Sequence, residues 1–400
     1  MANIIVKIEK EQIEIDKKVF MKLLDLSPIK GYVSYKNTIK TNEIKLLDLK
    51  ELAQKAFVPY PLFFAPRDKV EKQIKDQDSN LFDKLPTKTE MQVGFRGNMN
   101  KGDIELIIKD LARKQEFLKK RILTAETDNN FIGSISKMIK NSTNDHDIAE
   151  KVKGYFNIDL LKMRKLSKEK IVDYLCKKIE SKNILVSLSS YNYMPQNIDR
   201  DLGLSGLCVK DKKFPYIFIN TRDGDDNPLI FETDGRKIFT IILMLICIGT
   251  NKFILNTKNG KQKDKTIKRV LSITGEFLLP YRDLVKYTIN NISELKQYAT
   301  FFKVTPSMLL FRLEETKLID KMRTSSFREE LINELESIKF TPRQPTQVNG
   351  YGKYNGEKLS HHVVEAHKAG KISFDEVKNI LFRKGKVESG LIQEYTKKYA

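Results

Sequence analysis

The run from Ile238 to Ile248 is the most apolar stretch of the chain, and it limits the fold more than any other feature. A helix that is apolar on every side has no solvent face and must be surrounded by other elements. The run is about half of the ~20 residues needed to span a membrane, so the expectation is a helix at the centre of a globular core. A chain of 400 residues is long enough to surround it, in two or three domains.

The flanking sequence predicts what does the surrounding. Ile184–Leu188 and Tyr216–Asn220 are short apolar runs bounded by turn residues, and Leu202–Val209 has a similar texture, so all three read as strands. Residues 103–182 have helical spacing, with clear amphipathic segments at Ile104–Ala112 and Ile171–Ile179. A helix from Lys265 to Leu279 stops at Pro280. The expected class is α+β: mostly helical, with a small central sheet packed on the buried helix. The boundaries that follow are a helical domain at 1–67, a helical connector region at 68–182, a sheet-and-helix domain at 183–290, a helix-turn-helix domain at 291–340, and a linker with a helical tail at 341–400.

Within 1–67, Val6–Glu9 alternates weakly, helices are expected at Asp16–Leu26 and Leu47–Ala56, and Val58-Pro59-Tyr60-Pro61 stops the second. Residues 68–102 are polar, with Gly94, Gly97 and Gly102, and read as a long connector. Residues 340–356 carry Pro342, Pro345, Gly350, Gly352 and Gly356 and read as a linker.

Charge and cysteine content narrow the chemistry. The net charge is +20, which fits a polyanionic partner, although a Lys-rich chain also spreads such charge over solvated helix faces. Cys176, Cys208 and Cys247 form no CxxC pair, which excludes a disulfide framework or zinc knuckle of ordinary spacing. The N-terminus lacks a basic segment leading into an apolar one, so the expectation is a cytoplasmic protein with no membrane association. The four histidines, His146, His361, His362 and His367, do not share a helical face in a metal-binding pattern. No metal or other cofactor is expected.

The order of these elements, together with certain short motifs, resembles the ImmA/IrrE family of zinc metallopeptidases. The strand ending at Asn220, the lead Arg236-x-x-Phe239-Thr240, the buried helix, and a second helix ending in Leu278-Leu279-Pro280 follow that family's catalytic domain. Leu52-Ala53, Val58-Pro59 and Phe63-Phe64 are similar to its N-terminal Xre-type helix-turn-helix. Phe95-Arg96 is similar to its connector, and Leu295–Ile319 to its central helix-turn-helix. Ala366-x-x-Ala369-Gly370-Lys371-Ile372-Ser373 with Leu381 is similar to the tail of longer members. The family's HExxH motif places two zinc-binding histidines and a general-base glutamate on one helix. Those places hold Leu243, Met244 and Cys247 here, and Arg269 stands near the place of the acidic ligand. The resemblance therefore implies a zincin-like fold without its chemistry: a pseudopeptidase that regulates by binding a repressor or a toxin, as an element of a phage or mobile element.

Two surfaces are candidates for partners. Thr305 is placed to cap the second helix of a helix-turn-helix, with Pro306 at its first position, and Thr305, Ser307, Arg312 and Lys317 are candidates to meet double-stranded DNA. Leu204, Ser205, Gly206 and Leu207 are the candidate edge for adding a partner's strand. A sequence-specific DNA-binding regulator and a metallopeptidase with relocated ligands are the alternatives.

Overall fold

The computed structural model describes residues 3–25, 27–82, 101–123, 127–141, 143–190, 192–196, 204–221, 233–252, 265–337, 345–382 and 387–400. Among these residues it is mostly helical, with two three-stranded sheets and three hydrophobic cores. The expected α+β class holds. No helix among the described residues is long and apolar enough to cross a membrane.

The N-terminal core corrects the expected helical, Xre-like domain. Strand β1 (Asn3–Ile8) pairs antiparallel with β2 (Glu11–Asp16) and parallel with β3 (Glu43–Lys45). Ile4 and Val6 point into the core on alternate positions, as a half-buried strand requires. Five helices accompany the sheet: α1 (Lys17–Leu23), α2 (Ser27–Lys30), α3 (Val33–Thr41), α4 (Leu46–Lys55) and α5 (Arg67–Phe82). Asp16 ends the hairpin and caps α1, its carboxylate accepting the amides of Lys18 and Val19. Helix α5 occupies the first half of the expected connector, and Phe95-Arg96 lies outside the described residues. Helix α6 (Lys101–Phe117) then sends Leu106 into this core and Ile104, Ile107, Ile108 and Leu111 into another.

The second sheet divides the rest of the molecule. Its strands are β4 (Leu185–Leu188), β5 (Gly206–Val209) and β6 (Tyr216–Ile219), in the order β4-β6-β5. β4 and β6 are parallel, and β5 runs antiparallel to β6. Both faces are covered, which is why these strands are apolar at nearly every position. Val186, Cys208, Ile217 and Ile219 face one core, while Leu185, Leu207, Val209, Tyr216 and Phe218 face the other.

The first of these cores is built by α7 (Ser134–Lys140), α8 (Asp145–Phe156), α9 (Leu160–Lys165), α10 (Lys168–Glu180), α11 (Asp234–Gly249), α12 (Lys265–Leu278), α13 (Tyr281–Leu284), α14 (Ile292–Phe301), α15 (Pro306–Glu315) and α16 (Lys321–Ser337). Helix α11 carries the apolar run and is buried on all sides, as expected. The core crosses the expected boundaries at 182 and 290, so the helix-turn-helix is one wall of it rather than a separate domain.

The other face is covered by α6 and by the C-terminal helices α17 (Gln347–Asn355), α18 (Glu357–Lys368), α19 (Phe374–Leu381) and α20 (Ser389–Lys398). The expected linker and tail are thus half of a core. Gly350 and Gly352 lie inside α17, where a Cβ on either would sit 1.9 Å from Tyr193 or Tyr399. Their weak helix propensity is overridden because only a glycine surface lets those tyrosines approach.

Candidate functional site

The positions that the resemblance would assign to a metal lie on α11, which packs on the second sheet. Leu243, Met244 and Cys247 are buried core residues. The Cys208 thiol of β5 donates to the Met244 carbonyl at 3.3 Å and lies 3.4 Å from its sulfur, so the strand and the helix meet through sulfur contacts. Burial pushes the Cys247 thiol up to about 12 and raises that of Cys208 as well, so both stay protonated. A thiol in that state is neither a ready nucleophile nor a metal ligand.

Arg269, on α12, reaches α8. It forms an ion pair with Asp145 at 2.7 Å and donates to the Thr143 carbonyl at 2.8 Å, joining α12 to the start of α8. Among the described residues no group of three His, Cys, Asp or Glu side chains is placed to hold a metal ion. His146 lies 3.1 Å from Glu276, and His361 and His367 each lie 3.1 Å from a backbone carbonyl. The Asp-rich sequence at 223–227, which reads as a loop, and the basic residues Arg383, Lys384 and Lys386, which read as candidates to track phosphates, lie outside the described residues.

The motif residues around α11 have structural partners. Asn220 donates to the Leu204 carbonyl at 2.9 Å, and the Ser189 hydroxyl donates to the Asn220 side-chain oxygen at 3.1 Å. Ser189 also accepts the Thr221 amide at 2.8 Å. This buried knot ties together the residues that follow β4 and β6 and those that precede β5. Thr240 bonds back to the Arg236 carbonyl at 2.9 Å, and its methyl group faces Gly206, where a Cβ would come within 2.7 Å. Strand and helix therefore pack at glycine distance.

The residues expected to receive a partner's strand lie on and just before β5. β5 is an edge strand as expected, but Leu204, Ser205, Gly206 and Leu207 are all buried. Helix α11 lies against the strand, and Gln115 of α6 donates to the Phe214 carbonyl at 2.7 Å beside it.

The helix-turn-helix exists, as α14, a turn and α15, but its candidate DNA-reading side chains are divided. Thr305 caps α15 by accepting the Met308 amide at 3.1 Å, as expected. Ser307 and Lys317 are exposed. Arg312 is a correction: it is 4% exposed and forms an ion pair with the buried Glu276 of α12. It also pairs with Glu315 at 2.6 Å and donates to the Leu279 carbonyl at 3.3 Å. The turn itself packs on α11, where a Cβ on Gly235 would lie 3.1 Å from the Thr305 amide, and Lys168 donates to the Val304 carbonyl at 2.9 Å. The leading end of α15 is thus held against the body of the protein.

Sequence reasoning missed Glu276. A carboxylate set within Ile273, Phe277, Leu278 and Leu279 was the available signal, since a buried charge is paired wherever it is retained. It also missed Asp110, Lys114 and Tyr354, which form a buried cluster: the Tyr354 hydroxyl donates to Asp110 at 2.6 Å, and the Lys114 ammonium lies 3.3 Å from the same carboxylate and 3.8 Å from the Tyr354 ring centre.

No protein-family profile, curated protein or solved structure matches this chain.

Proposed function

We propose that this chain is a catalytically inactive, ImmA/IrrE-like pseudopeptidase that acts as a regulatory binding protein for another protein. The observation that supports this reading is the environment of Leu243, Met244 and Cys247. A zinc peptidase needs neutral imidazoles, a general base and a water at these places, with one coordination position open. Here they are apolar or protonated, sealed between α11 and the sheet, and have no exposed face. Arg269 is committed to Asp145 and brings positive charge where an acidic ligand would stand. The chain's activity on this reading is binding to a repressor or toxin, in the setting of a phage or mobile element.

The DNA-reading alternative on α15 is weakened by the burial of Arg312 and by the packing of the turn on α11. A peptidase with relocated ligands has no candidate ligand cluster among the described residues.

The test measures metal content by mass spectrometry after equilibration with Zn²⁺, together with the intact mass of a denatured protein substrate and of any co-purified partner. Substoichiometric zinc and unaltered masses are expected, for the chain and for Cys247→Ser alike. One tightly held zinc per chain, lost in Cys247→Ser, or chelator-sensitive cleavage of either protein, would overturn the reading.

A further inference from the structure

We propose that the outer face of α10, with neighbouring residues of α8 and α9, is a surface that binds the phosphate backbone of duplex DNA without reading its sequence. The inference is independent of the pseudopeptidase reading and places the polyanion contact away from the helix-turn-helix.

Helix α10 separates its charges by face. Lys170, Tyr174, Lys178 and Lys182 follow one another at intervals of four, the last just beyond the helix end. Each step of four turns about 40° on a helix of 3.6 residues, so these side chains form one slowly curving stripe about 18 Å long. The acidic residues Glu169 and Asp173 occupy the other exposed flank, and Glu180 is buried.

Two tyrosines organise the lysines. The ammonium groups of Lys162 and Lys178 each lie 5.6 Å from the Tyr174 ring centre, and that of Lys182 lies 5.2 Å from Tyr155. Such contacts hold a cation in place weakly without neutralising it. Tyr174 is itself fixed, its hydroxyl accepting the Asp159 amide at 3.0 Å and donating to the Asn157 carbonyl at 3.3 Å. Among the described residues, none of Lys162, Lys170, Lys178 and Lys182 has a carboxylate partner, whereas Lys153 and Lys177 nearby do.

The three lysines of the stripe and Lys162 of α9 are four unneutralised ammonium groups that need counterions, and a duplex supplies about one phosphate charge per 1.7 Å of its axis. The helix face offers charge, and the rings of Tyr174 and Tyr155 each have a lysine ammonium 5.2–5.6 Å from their centres, where a base would stack. Backbone contact with a duplex fits these features better than capture of a single strand. The chain's net charge of +20 supplies the long-range attraction.

The experiment measures affinity of the full chain for a random-sequence duplex, by fluorescence anisotropy across a salt series. It compares the wild type, a fourfold variant (K162Q, K170Q, K178Q, K182Q) and a control pair (S307A, K317Q), with thermal melts to confirm folding. Four phosphate contacts contribute about −3.6 to the slope of log K against log salt, so the fourfold variant should lose about that much slope and roughly a hundredfold or more in affinity near 50 mM salt. The control pair should bind as the wild type does. Failure of the wild type to bind duplex at low salt overturns the proposal. So do unchanged slope in the folded fourfold variant, loss in the control pair instead, or tighter binding to single strands or to phosphatidylserine vesicles than to duplex. If the fourfold variant does not fold, K170Q alone serves, with an expected slope change of about 0.9.

Discussion

Arg312 and Glu276 are the residues whose environment departs most from what their types suggest. Both are buried, and their pairing joins α15 to α12. Removing one partner from a buried ion pair leaves the other charge without compensation, which costs about 3–5 kcal/mol. Arg312→Ala should therefore lower the unfolding free energy measured in urea by that much, and Arg312→Met with Glu276→Leu should restore most of the loss. If Arg312→Ala leaves stability unchanged and weakens only DNA binding, Arg312 is a reader of bases after all. Glu180 is a second such residue. It accepts the amides of Val186, Glu357 and Lys358 at 3.4, 3.2 and 3.3 Å, yet burial pushes its carboxyl up to about 8. A carboxyl whose folded pKa is raised binds its proton more tightly when folded. Its stabilising contribution is present below the unfolded value and is lost as pH rises through about 8. Glu180→Gln should match the wild type near pH 5 and exceed it in urea midpoint above pH 8. A variant less stable than the wild type at the higher pH would mean that the ionised carboxylate holds the start of α18.

At the scale of elements, the decisive contact is the approach of β5 to α11. Gly206 is the only residue type that leaves room for the Thr240 methyl, and the closeness lets Cys208 reach the Met244 carbonyl. Gly206→Ala should cost roughly 1–3 kcal/mol, the usual range for overpacking a rigid core. Adding Thr240→Ser, which removes the methyl and keeps the hydroxyl, should recover part of it. Equilibrium denaturation of the single and double variants measures both effects, and additive losses would refute the contact.

At the scale of the molecule, the second sheet needs cover on both faces. Leu185, Leu207, Val209, Tyr216 and Phe218 pack against α6 and the C-terminal helices. Ending the chain at residue 340 removes α17 to α20 and leaves that apolar face to water. The shortened chain should bind a hydrophobic dye and lose its cooperative unfolding, rather than persist as a trimmed but intact protein. A sharp unfolding transition in the 1–340 fragment would show that the C-terminal helices are dispensable.

The sequence alone determined the elements whose signals are local. The apolar run on α11, the three strands around it, the Pro280 stop and the Thr305 cap follow from periodicity, β-rich composition and backbone chemistry within a few residues. It also determined the residue types at Leu243, Met244 and Cys247, which are apolar or thiol side chains on the buried helix. Only the tertiary structure decided what depends on distant partners. β1 is stabilised by β3, some forty residues on, so a weak alternation understated it. Gly350 and Gly352 suggested a linker until Tyr193 and Tyr399 were in place beside them. Arg312 had the spacing of an outward-facing residue, but a carboxylate on another helix turned it into a core residue. The physical reason is common to all three. Local pattern reports which groups prefer to leave water, whereas non-local packing decides which surface receives them and which charges are paired inside it.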